Sequence, residues 1–517
     1  MNRPDYHFSQ LIFIGDVMNS ISYLDAMKIA SYRDNGYSYR GIQKKLNIPK
    51  STIHYNIGEI KEFVRNLENY CGQHQKESLV KAVLSLSMVG KCSARSTSRV
   101  ISMIWNIEIS HQTVKTILDE CATIASKENK KLSLKSVLCP LFDEIFHRKS
   151  PILGFADAIS GGILLTKANH RKKEDWVDTL EKLAALGLNP ESTNTDGAQA
   201  LKEAIKIVFG NATQIRDLFH VLKKFNSSKH AMERHCYNLI YLKDQACVKK
   251  DISEEKKVEM GNELGRAIDY FDEFEKLLSR FHLGSTIRSG NDDYKYINST
   301  ELAWILRKMY KCLSRFIKEI SDKKVIKASQ TYIKNGFREI LSYKKKIEDK
   351  VGKNWPDYLK NFALSYFTRL SEYIDSYMKA YENKKDQKYW GDRIVELRSA
   401  TRNTPLFKDD IIDECINEHW GIFNEVHKSN SYIEAVNSVI RAYLNAYKSI
   451  PSWFCELFSF YWNNRVFMRG KRVGLSPAKC LTQDDSVITS NWYEKLLKQF
   501  PYDKIRCELP LGLPLAA

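Results

Sequence analysis

Several features that define other classes of protein are missing from this chain of 517 residues. Its 11 cysteines are odd in number and include no Cys-x-x-Cys pair, which argues against a disulfide framework and a zinc ribbon. No stretch reaches the roughly 20 apolar residues that a membrane-spanning helix needs. The apolar stretch LIFIG near the N-terminus is too short for the core of a secretion signal. These absences predict a soluble protein of the cytoplasm, with reduced thiols and no membrane partner.

What the chain has in excess is positive charge. Lys and Arg number 80 against 62 Asp and Glu, which gives a formal net charge of +18. Such an excess favours a polyanionic partner, because each neutralised phosphate releases condensed counterions. A basic protein without a nucleic-acid partner is the alternative that charge alone leaves open. Hydrophobic residues make up 43% of the chain, which is enough for packed cores in several domains.

The first 70 residues carry the pattern of a helix-turn-helix. A helix from Leu24 is expected to stop at Gly36, and Ser38 is a suitable N-cap for a short helix through Leu46. The segment Asn-Ile-Pro forms the turn, and a further helix starts near Ser51, whose hydroxyl can cap it. The apolar residues that would join these helices in one core are Ile42, Leu46, Ile48, Ile53 and Ile57.

This packing leaves the polar residues at the start of the last helix facing outward. In a helix-turn-helix, that helix enters the major groove and contacts base edges near its N-terminus. A structural pair of helices without a DNA role is the alternative. The predicted DNA contacts are Lys50, Thr52, His54 and Tyr55.

The next segment, to residue 135, repeats this pattern. A helix ends at Trp105, Asn106 lies in the turn, and Ser110 caps a following helix. A plain helical linker domain is the alternative to a second DNA-binding module. The predicted DNA contacts here are His111, Gln112, Thr113 and Lys115.

From residue 136 the pattern changes to short apolar runs alternating with helices, which predicts an α/β domain. Three antiparallel strands are expected at Leu138–Phe146, Ile152–Ala156 and Ile163–Lys167, with a tight turn at Ser160-Gly161-Gly162. Asp143 lies inside the first strand, where a carboxylate is costly unless it binds a metal or is paired. Asp157 competes for this role, but it begins a turn, where Asp commonly caps backbone N–H groups. Asp143 is therefore favoured.

Two more candidate acids follow. A short strand ends at Asp196 and Gly197 turns the chain into a helix from Ala198, which places Asp196 where α/β sheets carry their active sites. An ordinary helix N-cap is the alternative for Asp196. After a strand at Thr213–Arg216, Asp217 and His220 share one face of a helix and could support a metal site, although helix-start residues often have this pattern without a function.

The last acid comes after a long stretch of charged, amphipathic helical patterns. Ser431 can cap a helix that carries Glu434, Asn437 and Arg441, with a buried stripe of Ile, Val and Leu residues on its other side. A solvated helix with one exposed Glu is the alternative. The basic segment GKRVGLSP that follows adds Lys471 and Arg472 to the predicted DNA contacts, together with Arg441.

The fold class predicted from these patterns is a multidomain α and α/β protein. Three acids held together suit two divalent cations, Mg²⁺ or Mn²⁺, because such pairs need bridging and flanking carboxylates. The predicted ligands and catalytic residues are Asp143, Asp196 and Glu434. The predicted domains are 1–70 and 71–135 (helix-turn-helix modules), 136–228 (first part of the core), 229–425 (all-helical insertion), 426–480 (last part of the core) and 481–517 (C-terminal tail).

These segments resemble the DDE transposases of prokaryotic insertion sequences. The likeness lies in residues 136–228 and 428–480 and rests on LFDEIF, GFADAISGGIL, NTDGAQALKEAI, RDLFHVLKKF and NSYIEAVNSVIR. It implies a ribonuclease H-like core with a mixed sheet, interrupted by a large all-α insertion. Asp217-x-x-His220 is similar to the Cys/Asp-x-x-His element of Mutator-like transposases, whose long gap before the last acid holds such an insertion. The resemblance gives Asp217, His220 and Asn437 supporting roles at the metal site.

The resemblance also implies a function. Such enzymes bind the inverted repeats at the ends of a mobile element, cleave DNA and join the 3′ ends to target DNA. It implies a homodimer that synapses two ends, and a nucleoid-associated protein in the cytoplasm. Trp304, Trp355 and Trp390 are candidates for stacking on an unpaired base, with a place in the core as the alternative for each.

Two other functions remain open at this point. One is a DNA-binding regulator derived from a transposase, with an inactive core; the presence of all three acids argues against it. The other is a structural helical protein with incidental basic charge, which would show no salt-dependent DNA binding.

Overall fold

The computed structural model describes residues 23–105, 108–249, 252–285, 297–350, 366, 369–370, 373, 376–377, 380, 383–402, 429–469, 472–482 and 491–505. The chain divides into two compact units, one made of residues 1–121 and 495–517 and the other of residues 122–494. Both the helical and the α/β character expected from the sequence are present. Among the described helices, none combines the length and the apolar character that crossing a membrane requires.

The elements are named here in chain order. Before the sheet come α1 (Tyr23–Asp34), α2 (Tyr39–Leu46), α3 (Lys50–Leu84), a π-helical turn (Ser85–Val89), α4 (Ala94–Trp105) and α5 (His111–Asn129). The sheet region contains β1 (Leu141–His147), β2 (Ser150–Ala156), β3 (Ile163–Lys167), α6 (Lys173–Ala185), β4 (Ser192–Thr195), α7 (Gln199–Val208) and β5 (Thr213–Arg216). The remaining elements are α8 (Leu218–Val248), α9 (Glu254–Ser285), α10 (Ser299–Phe316), α11 (Lys324–Lys350), α12 (Lys384–Arg402), α13 (Ser431–Leu444), α14 (Phe454–Asn464), α15 (Pro477–Thr482), α16 (Glu494–Gln499) and a 3₁₀ turn (Tyr502–Lys504).

Helices α1 to α3 form the expected three-helix arrangement around a small core. The Ser38 hydroxyl accepts the Gly41 N–H at 3.2 Å, so the predicted cap of α2 is confirmed. The prediction that Ser51 caps the next helix is wrong, because α3 already begins at Lys50, directly after Pro49. Pro has a preset φ and no N–H to satisfy, which suits it to a helix start. The buried residues of this core are Ala26, Ile29, Ala30, Ile42, Ile48, Ile53 and Ile60.

Helix α3 does not stop where the first module was expected to end. It runs from Lys50 to Leu84, so the predicted boundary at residue 70 lies inside a helix. In the second module the Ser110 hydroxyl accepts the Thr113 N–H at 3.0 Å, which confirms the predicted cap of α5. The predicted tail also contains folded structure, since α16 buries Leu496 and Leu497.

The second unit is built on a mixed five-stranded sheet with the strand order β3-β2-β1-β4-β5. β1 and β2 are antiparallel, as are β2 and β3, whereas β1, β4 and β5 run parallel to each other. β3 and β5 have the predicted bounds. β1 begins at Leu141 instead of the predicted Leu138, because Pro140 cannot donate to a strand ladder and the carbonyl of Leu138 already accepts from Glu191 and Ser192.

Helices cover the sheet from several directions. α6 and α7 pack together and share a core with β1 and β2 that includes Phe142, Phe155 and Trp176. Helices α8 to α11 form a second core that continues onto β5 through Ile215. From the far end of the chain, α13 packs on β1 and β2, while α14 packs on β3.

Side chains of α14 satisfy the backbone of the edge strand β3. The Asn463 amide accepts the Ile163 N–H at 2.9 Å and donates to the Ile163 carbonyl at 2.7 Å. The Ser459 hydroxyl accepts the Leu165 N–H at 3.0 Å. An uncovered edge strand is a template for pairing with a further strand. These contacts therefore protect the β3 edge of the sheet and attach the C-terminal helices to it.

We predict that Asn463→Ala destabilises the second unit by roughly 2–4 kcal/mol, because the N–H and C=O of Ile163 would both lose their buried partner. Asn464→Ala is the matched control: the neighbouring Asn464 is half-buried and, among the described residues, donates to the Phe460 carbonyl of its own helix at 2.9 Å. We expect this control to cost about 1 kcal/mol. Urea denaturation followed by circular dichroism measures both variants, and equal costs would contradict the role given to Asn463.

Candidate active site

The strand register brings three acids to one place on the sheet. Leu141 of β1 is paired with Asn194 of β4, so Asp143 and Asp196, each two residues further on, lie at the same level of the two strands. Thr195 of β4 is paired with Arg216 of β5, and each of these residues is followed directly by an Asp. Asp196 and Asp217 therefore lie at the carboxyl ends of neighbouring parallel strands, beside Asp143.

Helix α13 adds the fourth acid from the distant C-terminal part of the chain. The Asn430 amide, just before the helix, donates to the Phe142 carbonyl at 3.1 Å. One turn after Glu434, the Asn437 amide donates to Asp143 Oδ2 at 2.6 Å. The helix is thus tied to β1 on both sides of Glu434. The prediction that Ser431 caps α13 is wrong, since Ser431 is its first residue and Asn430 occupies the N-cap position.

Asp217, His220 and Glu434 form a tight group. Asp217 caps α8 by accepting the Phe219 N–H at 2.9 Å, and its other oxygen contacts His220 Nδ1 at 2.7 Å. His220 Nε2 then lies 3.7 Å from Glu434 Oε1. The Asp217 side chain is fully buried, whereas those of His220 and Glu434 are 31% and 36% exposed. The buried acid holds the imidazole ring, and the other two side chains are partly exposed to solvent.

Electrostatics link this group to Asp143. Burial is the main cause that raises the pKa of Asp143 from 3.8 to about 6; the Glu144 N–H and His220 oppose the shift, while the nearby carboxylates of Asp196 and Glu434 add to it. The hydrogen bond to Asp217 raises the pKa of His220, and burial opposes that shift. Negative charge is therefore concentrated here at a cost that a cation would relieve.

The donor chemistry fits divalent cations. Carboxylate oxygens are the ligands that Mg²⁺ and Mn²⁺ prefer, and an imidazole nitrogen is also acceptable to Mn²⁺. Asn437 is buried, and its Oδ1 has no hydrogen-bond partner among the described residues, which leaves a neutral oxygen next to Asp143. Among the described residues, the group whose ligand atoms lie within 4.8 Å of one another is Asp217, His220 and Glu434. This group shares only Glu434 with the ligands predicted from the sequence.

Two charged residues next to the site are absent from those predicted from the sequence. Glu144 follows Asp143 and accepts from the Trp176 indole at 3.0 Å, and burial raises its pKa. Successive strand residues face opposite sides of a sheet, so Glu144 is expected on the side away from Asp143. There the sequence does not distinguish it from an ordinary surface acid. Arg216 ends β5 and donates to the Asp196 carbonyl at 2.8 Å. A charge at the end of a buried strand is the same signal that identified Asp143 and could have identified Arg216.

Asp157 has the role that the alternative interpretation gave it. Its carboxylate accepts the Ser160 N–H at 2.8 Å and the Ser160 hydroxyl at 2.6 Å, inside the turn between β2 and β3. It is a turn cap, and Asp143 remains the candidate ligand of the two.

Most of the predicted DNA contacts lie on the protein surface. Tyr55 is 83% exposed. Thr52 and Thr113 are half-buried, and the Thr113 hydroxyl lies 2.9 Å from that of Ser110. The other predicted contacts in the two modules are exposed: Lys50, His54, His111, Gln112 and Lys115.

The predicted contacts near the C-terminus differ from each other. Arg441 is exposed on α13, and Lys471 lies outside the described residues. Arg472 donates to the carbonyls of Ala158 and Ile159 at 3.0 and 2.8 Å, and its guanidinium lies over the Phe467 ring. Arg472 therefore binds the backbone of the β2–β3 turn.

The candidate stacking residues are also in different settings. Trp304 is 44% exposed and lines a pocket of about 460 Å³ between α10 and α11, together with Phe337 and four Lys and Arg residues. Trp390 is half-buried and its ring lies 5.6 Å from that of Tyr373. Trp355 lies outside the described residues. Stacking on a base remains a prediction for Trp304 and Trp390.

Comparisons with known proteins add no relative. No protein-family profile matches the sequence, and no curated protein is significantly similar to it. The function therefore has to be inferred from the residues and their geometry.

We predict that Asp143→Asn stabilises the protein at neutral pH when divalent cations are removed with EDTA. A folded-state pKa of about 6 against an ordinary 3.8 means that ionisation favours unfolding, so wild-type stability falls as pH rises through this interval. The gain from the substitution should be small at pH 4 and reach at most about 3 kcal/mol above pH 7.

Thermal unfolding of both proteins across this pH range measures the difference. The control is Asp178→Asn, which removes an exposed acid on α6 and should give a difference that does not grow with pH. An Asp143→Asn protein less stable than wild type at pH 7.5 in EDTA would contradict the electrostatic account.

Proposed function

We propose that the protein is a DNA transposase of the DDE type, with a ribonuclease H-like core. The observation that carries this proposal is the position of Glu434. This residue is far from Asp196 in the chain, yet α13 brings its carboxylate to 3.7 Å from His220, within electrostatic reach of Asp143. A structural helical protein has no need to gather four acids at one edge of a sheet, where their mutual repulsion costs stability.

The sheet supports the same proposal. A mixed five-stranded sheet with one acid on its central strand, one after the adjacent parallel strand and one on a late helix is the arrangement expected of a ribonuclease H-like nuclease. The helices between Asp217 and Glu434 correspond to the proposed all-α insertion, and the described residues between 229 and 402 are predominantly helical.

The proposed chemistry is phosphoryl transfer. Two divalent cations, Mg²⁺ or Mn²⁺, would supply the Lewis acidity that activates a water or a DNA 3′-hydroxyl and stabilises the leaving oxygen. Asp143, Asp196 and Glu434 would hold them through carboxylate oxygens. Asn437 orients Asp143 by donating to its Oδ2, and Asp217 orients His220 by holding its Nδ1. His220 then presents Nε2 toward Glu434.

The substrate proposed is double-stranded DNA, both as the ends of a mobile element and as the target. The two N-terminal modules would bind the inverted repeats, with Lys50 and Tyr55 at the exposed start of α3. The net charge of +18 supports binding to phosphates. The basic and aromatic pocket around Trp304 would contact DNA near the cleavage point. A homodimer that holds two ends, acting in the cytoplasm at the nucleoid, belongs to the same proposal.

The first experiment measures cleavage of DNA that carries the sequences flanking the coding region, in Mg²⁺ or Mn²⁺. Asp143→Asn, Asp196→Asn and Glu434→Gln should each lose cleavage by at least about 10³-fold, because each removes a charge from the metal site, while DNA binding is retained. The control is Glu203→Gln on the exposed side of α7, which should cleave normally. Wild-type protein that binds this DNA without cleaving it would favour the inactive regulator instead.

The second experiment concerns the first module. Lys50→Ala combined with Tyr55→Ala should weaken binding to the flanking DNA by about tenfold or more, since a phosphate or base contact and a stacking surface are lost. Lys28→Ala on α1, an exposed lysine of the same unit, removes one charge away from the turn and should change affinity much less. Gel-shift titrations at fixed salt measure both, and equal affinities for the double variant and wild type would show that this module does not read the DNA.

A further inference from the structure

The backbone carbonyl of Asp196 accepts two hydrogen bonds from side chains. Arg216 Nη1 donates to it at 2.8 Å from β5, and the Tyr332 hydroxyl donates at 3.2 Å from α11. The Asp196 side chain in turn accepts the Ala198 N–H at 2.9 Å. The residue is therefore fixed on both its main chain and its side chain, at the point where β4 gives way to α7.

The Arg216 side chain occupies a slot shaped for a guanidinium. Arg216 is 4% exposed, and its guanidinium carbon lies 4.8 Å from the centroid of the Tyr332 ring. A Cβ on Gly197 would stand 1.3 Å from Arg216 Nη1, and one on Gly336 would stand 3.0 Å from Nη2. Gly197 also has a φ of +87°, which other residues rarely adopt. Glycine is thus required at the turn after Asp196 both by its conformation and by the arginine.

Helix α11 lines the other side of the space that Arg216 occupies. Arg216 Nη2 pairs with Glu339 at 2.6 Å, and Glu339 also pairs with Lys202 of α7. Tyr332, Gly336 and Glu339 recur at intervals of one helical turn, so they share one face of α11. A helix of the region between Asp217 and Glu434 therefore reaches across β5 to the residue that carries a candidate metal ligand.

We propose that Arg216, Tyr332 and Glu339 are positioning residues, which set the direction of the Asp196 carboxylate and so tune the affinity of the site for divalent cations. This inference rests on the proposed function, because it takes Asp196 as a metal ligand. Partners that orient a ligand typically change metal affinity by 10–100-fold when they are removed. Arg216 also precedes Asp217, so the same contacts connect the helical region to the Asp217–His220 pair.

A purely structural network makes a different prediction. Loss of a buried ion pair lowers stability, yet protein that remains folded would then bind cations normally. Metal affinity measured on folded protein separates the two roles. Arg216→Lys keeps the charge, but the new side chain cannot donate to the Asp196 carbonyl and Glu339 together in the fork geometry of Arg.

The experiment is a titration of the full-length protein with Mn²⁺, followed by calorimetry and by the electron paramagnetic resonance of free Mn²⁺. Arg216→Lys and Glu339→Gln should weaken Mn²⁺ binding by about tenfold or more, and Tyr332→Phe by about threefold. The matched control is Arg315→Lys, which alters the ion pair of Arg315 with Glu273 at 2.8 Å, between α10 and α9, and should bind Mn²⁺ like wild type. Thermal unfolding without metal identifies variants that remain folded.

Wild-type Mn²⁺ affinity in folded Arg216→Lys and Tyr332→Phe proteins would overturn the inference. If Arg216→Lys does not fold, Tyr332→Phe decides alone, since it removes one hydroxyl and keeps the ring. If wild-type protein itself binds no Mn²⁺, or Asp196→Asn binds it equally well, the proposed function fails together with the inference. Metal binding that depends on Asp196 but not on Arg216 or Tyr332 defeats the inference and leaves the proposed function standing.

Discussion

The docking of α13 onto β1 is the contact on which the proposed active site depends. Two amides, those of Asn430 and Asn437, connect the helix to the Phe142 carbonyl and the Asp143 carboxylate. The Tyr432 hydroxyl adds a third bond, to the Gly161 carbonyl of the β2–β3 turn at 2.7 Å. Buried polar groups need such partners, and here each bond joins segments far apart in the chain. Without this docking, Glu434 has no fixed relation to the sheet.

The site gathers like charges that the rest of the fold must hold in place. Asp143 lies where burial and neighbouring carboxylates disfavour its ionised form. Three contacts favour the ionised form instead, and they come from three different elements: a backbone N–H of β1, the Asn437 amide of α13 and the His220 ring of α8. Such preorganisation against electrostatic cost is typical of sites that bind cations or perform acid–base chemistry, because the fold retains an arrangement that is unfavourable without a ligand.

Local sequence patterns predicted many of the helix caps, strands and candidate acids. Ser38, Ser110 and the strand Ile163–Lys167 follow from capping preferences and short apolar runs, and the structure contains them as expected. The candidate acids also stood out, because a carboxylate in or after a buried strand needs a reason. What local patterns do not encode is which distant groups meet. The pairing of Arg216 with Glu339, and the cap position of Asn430 in place of Ser431, depend on contacts between remote segments.

The proposed function requires the acids on the sheet and Glu434 to bind the same pair of cations. Anomalous diffraction at the manganese edge, from crystals of the full-length protein soaked in MnCl₂, tests it most directly. We expect two manganese peaks roughly 3.5–4 Å apart, with oxygens of Asp143, Asp196 and Glu434 among their ligands. A fully ordered site with no manganese, or manganese bound by the sheet acids while the Glu434 carboxylate stays beyond coordinating distance, would contradict it.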